Sequence, residues 1–219
     1  MINTDAPPIS RRSLFIAMSA MFILAGCSDL IGPSSEPSQI YRITPVFPST
    51  SPGQPADWQL SISRPEASQS LRTDRIALQR NGTLDYYANA QWTDNSPQLV
   101  QSLLVEAFEK SGKIRAVGKD AEGLNANLIL QSELRNFEAV YDSPDSAPHA
   151  VIDIEIKLIR PAAREVVASR EFHQEVPATA NTVAAANLAF NAASAALLQS
   201  IVDWTVEQGD APGAKLHHR

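Results

Sequence analysis

The sequence predicts an α/β chain of the α+β type: a single domain whose largely antiparallel sheet is packed by two main helices. Three observations predict it. Asn81-Gly82 sits between two β-rich runs and is a strong hairpin turn. From residue 127 to 176, three alternating segments follow one another with only short polar loops between them. That is the pattern of antiparallel strands with one wet face. Two further segments, beginning near residues 96 and 182, carry apolar side chains at helical spacing.

The first segment, 1–26, has the build of a secretory leader. Arg11 and Arg12 precede an apolar run from Leu14 to Ala25, broken only by Ser19. The run is short of the roughly 20 apolar residues that span a bilayer. Leu24-Ala25-Gly26-Cys27 closes it and looks like a bacterial lipobox, and Cys27 is the only cysteine. Cleavage would fall between Gly26 and Cys27, and the new terminal thiol would carry the acyl chains. Ser10-Arg11-Arg12-Ser13-Leu14-Phe15 partly resembles a twin-arginine leader, but no cofactor site calls for folding before export, so the general secretory route fits better. Bacterial lipoproteins, which this leader resembles, carry several chains such as palmitate. More than one chain is needed for a stable hold, at about 0.8 kcal/mol per buried CH₂. In such lipoproteins Ser after the cysteine favours the outer membrane and Asp the inner; here Ser28 follows, and Asp29 is one place late.

Residues 27–38 are then the lipidated cysteine and a Pro- and Ser-rich flexible tether. The folded domain spans 39–207. Gln39 to Phe47 is expected to be a strand, and Pro48 to Pro55 a long loop. Trp58-Gln59-Leu60-Ser61-Ile62-Ser63 alternates strictly, as a half-buried strand does. Arg75 to Gln79 and Leu84 to Ala90 flank the Asn-Gly turn. Ser96 is the expected N-cap of the first helix with Pro97 at its first position, and Gly112 ends it. Its stripe is Leu99, Val100, Leu103, Leu104 and Phe108. Ile114 to Val117 is a short strand. Asn127 to Ala139, Ala150 to Leu158 and Val166 to Val176 follow, joined by loops at Asp142–Asp145 and Arg160–Ala163. The last helix is expected over Thr182 to Glu207, capped by Thr179 or Asn181, with Val183, Phe190, Leu197 and Trp204 recurring every seven residues. Residues 208–219 are expected to be a loose tail.

Composition narrows the function. The formal charge is −6, or −7 once a leader of net +1 is removed. No basic patch is interleaved with aromatics, so nucleic acid is not the expected partner. Without a second cysteine there is no internal disulfide, and the domain must rest on packing. No cofactor or metal is expected. His217-His218 lies in the tail, and His149 and His173 could meet only by an accident of strand register, whereas zinc needs three or four ligands together. No Gly-x-Ser-x-Gly and no Ser/His/Asp grouping is present. Asp153 and Glu155 share a strand face with Lys157, which is more often a solvated face than an acid/base pair. The nine glycines never cluster into a phosphate cradle. No catalytic residue is therefore expected, and the chain is read as a non-enzyme. One further group stands out: Asp74 and Arg75 open a strand, with Tyr86, Tyr87 and Trp92 downstream. It is either a structural Asp–Arg pair with an aromatic core, the favoured reading, or an exposed interface.

Tyr41-Arg42-Ile43-Thr44-Pro45, Thr73-Asp74-Arg75-Ile76-Ala77-Leu78 and Tyr86-Tyr87-Ala88-Asn89-Ala90-Gln91-Trp92 occur in that order. Leu99 to Glu109, Leu130 to Phe137 and Ser169-Arg170-Glu171-Phe172 follow. Together, over about 39–207, they resemble the ABC-type transport auxiliary lipoprotein family. The resemblance implies an α/β domain with a mixed sheet and two helices, and allows a homo-oligomeric ring. It implies a subunit that works with an ABC permease, its ATPase and a periplasmic protein with a mammalian-cell-entry (MCE) domain. Such a subunit would sit at the outer-membrane end of a phospholipid path, facing the periplasm. It supplies no catalytic residues. The alternatives are a lipid carrier with its own cavity, a structural envelope lipoprotein and a periplasmic hydrolase.

Overall fold

A computed structural model of the chain describes residues 37–47 and 53–211. The leader, Cys27, most of the tether and His217-His218 lie outside the described residues. Among the described residues, nine strands and two long helices form a single mixed sheet with helices against it: β1 (Gln39–Tyr41), β2 (Ala56–Ile62), β3 (Glu66–Ala67), β4 (Arg75–Arg80), β5 (Thr83–Trp92), α1 (Ser96–Ser111), β6 (Ile114–Lys119), β7 (Leu128–Tyr141), β8 (His149–Arg160), β9 (Glu165–Pro177) and α2 (Val183–Asp210).

β7 is the axis of the sheet. One edge takes β8 in an antiparallel ladder, and β9 continues it beyond β8. The other edge is shared by three shorter strands, all parallel to it: β2 at Leu128–Leu130, β3 at Glu133–Leu134 and β4 at Glu138–Tyr141. β6 adds to β2, and β5 and then β1 add to β4. The two antiparallel ladders of β7, β8 and β9 are the longest. The parallel pairings were not legible, because alternation specifies which face is buried and not the direction of the neighbour.

The Asn81-Gly82 hairpin forms, with both residues at positive φ (50° and 75°). That backbone suits the type I′ turn, whose twist matches that of the strands it joins. β1 is shorter than expected. After Tyr41 the chain leaves the sheet, and the Thr44 amide donates to Asn191 Oδ1 of α2 at 2.8 Å. Ile43 and Pro45 stay buried. The two-residue period is therefore real, but a helix rather than a strand supplies the partner.

The cap of α1 is Asn95, not Ser96: its Oδ1 accepts from the Gln98 amide at 3.1 Å, and Pro97 falls at the second helical position. Asn and Ser are near-equal caps, so adjacent candidates cannot be ranked from sequence. Gly112 ends α1 in the left-handed region, as expected. In α2 the cap is Thr182, whose Oγ1 accepts from the Ala185 amide, rather than Thr179 or Asn181. α2 also runs past Gly209 to Asp210.

By length and composition alone α2 could cross a membrane, but 56% of its apolar window is buried in the domain. Its small residues Ala186, Ala189 and Ala193 lie against the sheet and let the axis come close. Phe190 completes an aromatic triangle with Trp92 and Phe137, at centroid distances of 5.2, 5.7 and 5.0 Å. Such contacts add about 0.5–1.5 kcal/mol each beyond area burial.

Candidate functional site

Asp74, Arg75, Tyr86, Tyr87 and Trp92 lie around an irregularity in the β4–β5 ladder, between the pairs Arg75–Gln91 and Ala77–Tyr86, just before α1. Trp92 is only 1% exposed, and its indole Nε1 has no partner among the described residues. Its backbone amide donates to the Asp74 carbonyl at 2.7 Å, and the Ser96 amide to the Thr73 carbonyl. These bonds make the Thr73–Asp74 segment the seat of α1. No Asp74–Arg75 ion pair forms among the described residues. Arg75 instead lays its guanidinium over the Tyr86 ring at 4.0 Å, and Tyr86 Oη donates to the Ser70 carbonyl. Tyr87 points to the other face, as its neighbouring place in a strand requires. Its hydroxyl lies 2.7 Å from that of Tyr141, which can donate to Asn181 Oδ1. Burial, reinforced by the Tyr141 hydrogen bond, pushes the Tyr87 hydroxyl far above the usual tyrosine range. The structure thus brings Arg75 and Tyr86 together at the surface and sends Trp92 inside.

The sheet face away from the helices is a web of charges. Arg135 reaches Glu155 at 2.5 Å and Glu171 at 2.9 Å, with Glu133 farther off at 3.9 Å. Those carboxylates, led by the Glu171 hydrogen bond, raise the Arg135 guanidinium above its ordinary range. Asp153 accepts from Asn136 at 2.6 Å and meets His173 Nδ1 at 2.5 Å. Burial, then repulsion from Asp153, raises the Glu138 carboxyl. His149 and His173 flank a shared Glu175, at 2.8 and 3.9 Å. Register does bring the two histidines to one carboxylate, but from opposite sides. No group of three or more His, Cys, Asp or Glu among the described residues could hold a metal ion. Asp153 and Glu155 are each engaged by a positively charged or hydrogen-bonding neighbour, and both side chains are largely covered, at 16% and 20% exposure.

Two depressions matter for what the domain could hold. One is polar, about 360 Å³, and opens on this charged face beside Arg64 and Glu133. Sequence reasoning missed it, because its lining comes from three strands with no shared motif. The other lies under the helices among Leu103, Phe137, Ile152 and Leu197; it is apolar and about 10 Å³.

The sequence matches the model of the ABC-type transport auxiliary lipoprotein component across residues 41–202, from the end of β1 well into α2. The chain belongs to that family. That family is described as the auxiliary lipoprotein component of ABC-type transport. The chain is similar to the crystal structure of protein XCC0632 from Xanthomonas campestris at 29% identity and TM-score 0.75, covering 81% of this chain and all of that one. A second solved structure, of an uncharacterized protein, shares the fold at 15% identity and TM-score 0.60, covering 78% of this chain and 99% of that one. An uncharacterized protein of Bradyrhizobium diazoefficiens, bll6063, is 28% identical over 147 residues, covering 67% of this chain. The chain spans 39% of the length of that relative.

Proposed function

We propose that the protein is a non-enzymatic, lipid-anchored auxiliary subunit that docks an MCE-type transporter at the outer membrane or forms the end of its channel. Phospholipid or another hydrophobic substrate would pass along that route. The observation that carries the reading is the family match over 41–202 downstream of Leu24-Ala25-Gly26-Cys27. Cys27 would be acylated and hold the domain at the membrane. The partners would be an MCE-domain periplasmic protein with its ABC permease and ATPase, and a homo-oligomeric ring is a compatible assembly. Asp74, Arg75 and Tyr86 would be the accessible part of the group singled out above.

The rival, a carrier with its own greasy cavity, finds little support among the described residues. The apolar cavity under the helices is about 10 Å³, and even a drug-sized ligand needs about 300–1,000 Å³. Chemical crosslinking in intact membranes, followed by purification of the tagged chain, tests the docking reading. An MCE-domain protein should copurify; its consistent absence would count against the proposal.

A further inference from the structure

β2 ends at Ile62, the Ser63 amide still donates to the Leu130 carbonyl of β7 at 3.0 Å, and β3 rejoins β7 at Glu66. The gap at residues 64–65 adjoins the polar depression of about 360 Å³, lined by Ser63, Arg64, Gln131, Glu133, Glu155 and Lys157 among others. Its volume falls in the range of small-ligand sites, about 300–1,000 Å³.

The charges around it are unequally engaged. Arg72 holds Glu66 at 3.0 Å, and Arg135 holds Glu155 at 2.5 Å. Arg64 makes no ion pair and no side-chain hydrogen bond among the described residues, and it borders two further shallow depressions. Lys157 is 3.5 Å from Glu155, a loose contact. Glu133 is 3.9 Å from Arg135, beyond hydrogen-bond reach, because Arg135 gives its N–H groups to Glu155 and Glu171. Arg64, in the β2–β3 connection at one rim, and Lys157, on β8 at the other, are therefore cations with unused donors, and Glu133 of β7 between them is a carboxylate with unused acceptors. The nearby start of α1 is not the source of attraction. Its Gln98 amide is taken by Asn95, its Ser96 amide by Thr73, and Pro97 has none.

We propose that this notch binds a small zwitterion, a phosphate ester carrying a primary ammonium group a short chain away. The phosphate lies against Arg64 and Lys157, since a guanidinium fork and an ammonium together match its charge. The ammonium donates to Glu133. Phosphoethanolamine is the simplest such group, supplied either as a free molecule or as the headgroup of a lipid. The site itself is independent of the transport reading; only the lipid source rests on it.

The test follows the Arg64 Nε–Hε signal by NMR in the full-length chain in detergent micelles. Phosphoethanolamine should shift it saturably, with a dissociation constant on the order of 1 mM. Inorganic phosphate and ethanolamine alone should each bind at least about tenfold more weakly, a difference of about 1.4 kcal/mol. Phosphocholine, which has no N–H to give Glu133, should also be weaker. Arg64→Ala and Glu133→Gln are exposed changes that leave the fold intact, and each should abolish most of the affinity, read on the Lys157 side chain or by calorimetry. No saturable shift, equal binding of phosphate alone, or full binding by Arg64→Ala would overturn the proposal. Micelles doped with phosphatidylethanolamine separate the sources. A shift there that Arg64→Ala removes assigns the lipid. A response to the free ester alone retains the site and removes the lipid, leaving the docking proposal to the crosslinking result.

Discussion

Replacing Gly209 by alanine sets two calculable effects against each other. Gly209 lies in the last turn of α2, where alanine would gain up to about 1 kcal/mol of helix propensity. A Cβ at this position, however, would meet the Trp58 ring at 2.5 Å (Cζ2), 2.9 Å (Cε2) and 3.1 Å (Cη2). The indole cannot easily move aside: it is 9% exposed, and its Nε1 donates to Asp210 Oδ1 at 3.0 Å. Overpacking of this kind costs about 1–3 kcal/mol. Gly209→Ala should therefore destabilise the domain by about 1–2 kcal/mol. At this chain length that lowers Tm by about 2–8 °C. Thermal unfolding followed by tryptophan fluorescence and near-UV circular dichroism reads the effect. The control is the same change in a Trp58→Phe background, where the ring bearing Cζ2 and Cη2 is gone. There Gly209→Ala should be neutral or stabilising by up to about 1 kcal/mol, so the two substitutions are coupled. A higher Tm for Gly209→Ala in the native background, or an equal loss in both, would refute the packing argument.

Asn95→Ala should cost about 1 kcal/mol in chemical denaturation, and Ser96→Ala clearly less, because Asn95 makes the capping bond. Glu138 has a folded-state pKa raised by burial and then by Asp153, so its ionisation opposes folding. The native state holds the extra proton, stability falls as pH rises through the window above the ordinary glutamate range, and the penalty is complete above the raised value. Glu138→Gln should raise stability at pH 7 by less than about 1 kcal/mol given partial solvent screening, read as a higher Tm, and the gain should vanish below about pH 4. Asp203 behaves oppositely. Burial pushes its carboxyl up, but hydrogen bonds from Lys113 and Gln199 outweigh it and leave the pKa lowered. Lys113→Met should therefore narrow the acid-side stability by a small, salt-sensitive amount, read by unfolding midpoints across pH 2–5. Cys27→Ala should leave the unfolding midpoint unchanged and move the chain from the membrane to the soluble fraction on fractionation; retention in the membrane would remove the anchor from the proposal.

Strand and helix positions were largely legible because each is a local periodicity. The Asn81-Gly82 turn, the stripe of α1 and the three serial strands all form where the alternation and spacing place them. The shortfalls share a cause. β1 was overextended because Ile43 and Pro45 keep a strand-like period while packing under a helix. α2 was ended too soon because a glycine is a good terminator unless a ring needs the space, and Trp58, some 150 residues away in sequence, needs it here.

The candidate site divides in the same way. Sequence alone determined the fold class and the family, since each is written in residue type and short-range order. Only the tertiary structure decided which members of the Asp74–Trp92 group face water. Burial there depends on which strand and helix cover Trp92, and Phe137 and Phe190 do so from distant segments. The charged face was likewise beyond the sequence. Strand register sets which carboxylate Arg135 holds, leaves Glu133 without a close partner, and puts Arg64 across a gap from it. Periodicity specifies which side of a strand is wet, whereas pairing a charge requires its neighbour's position, and long-range register alone supplies that.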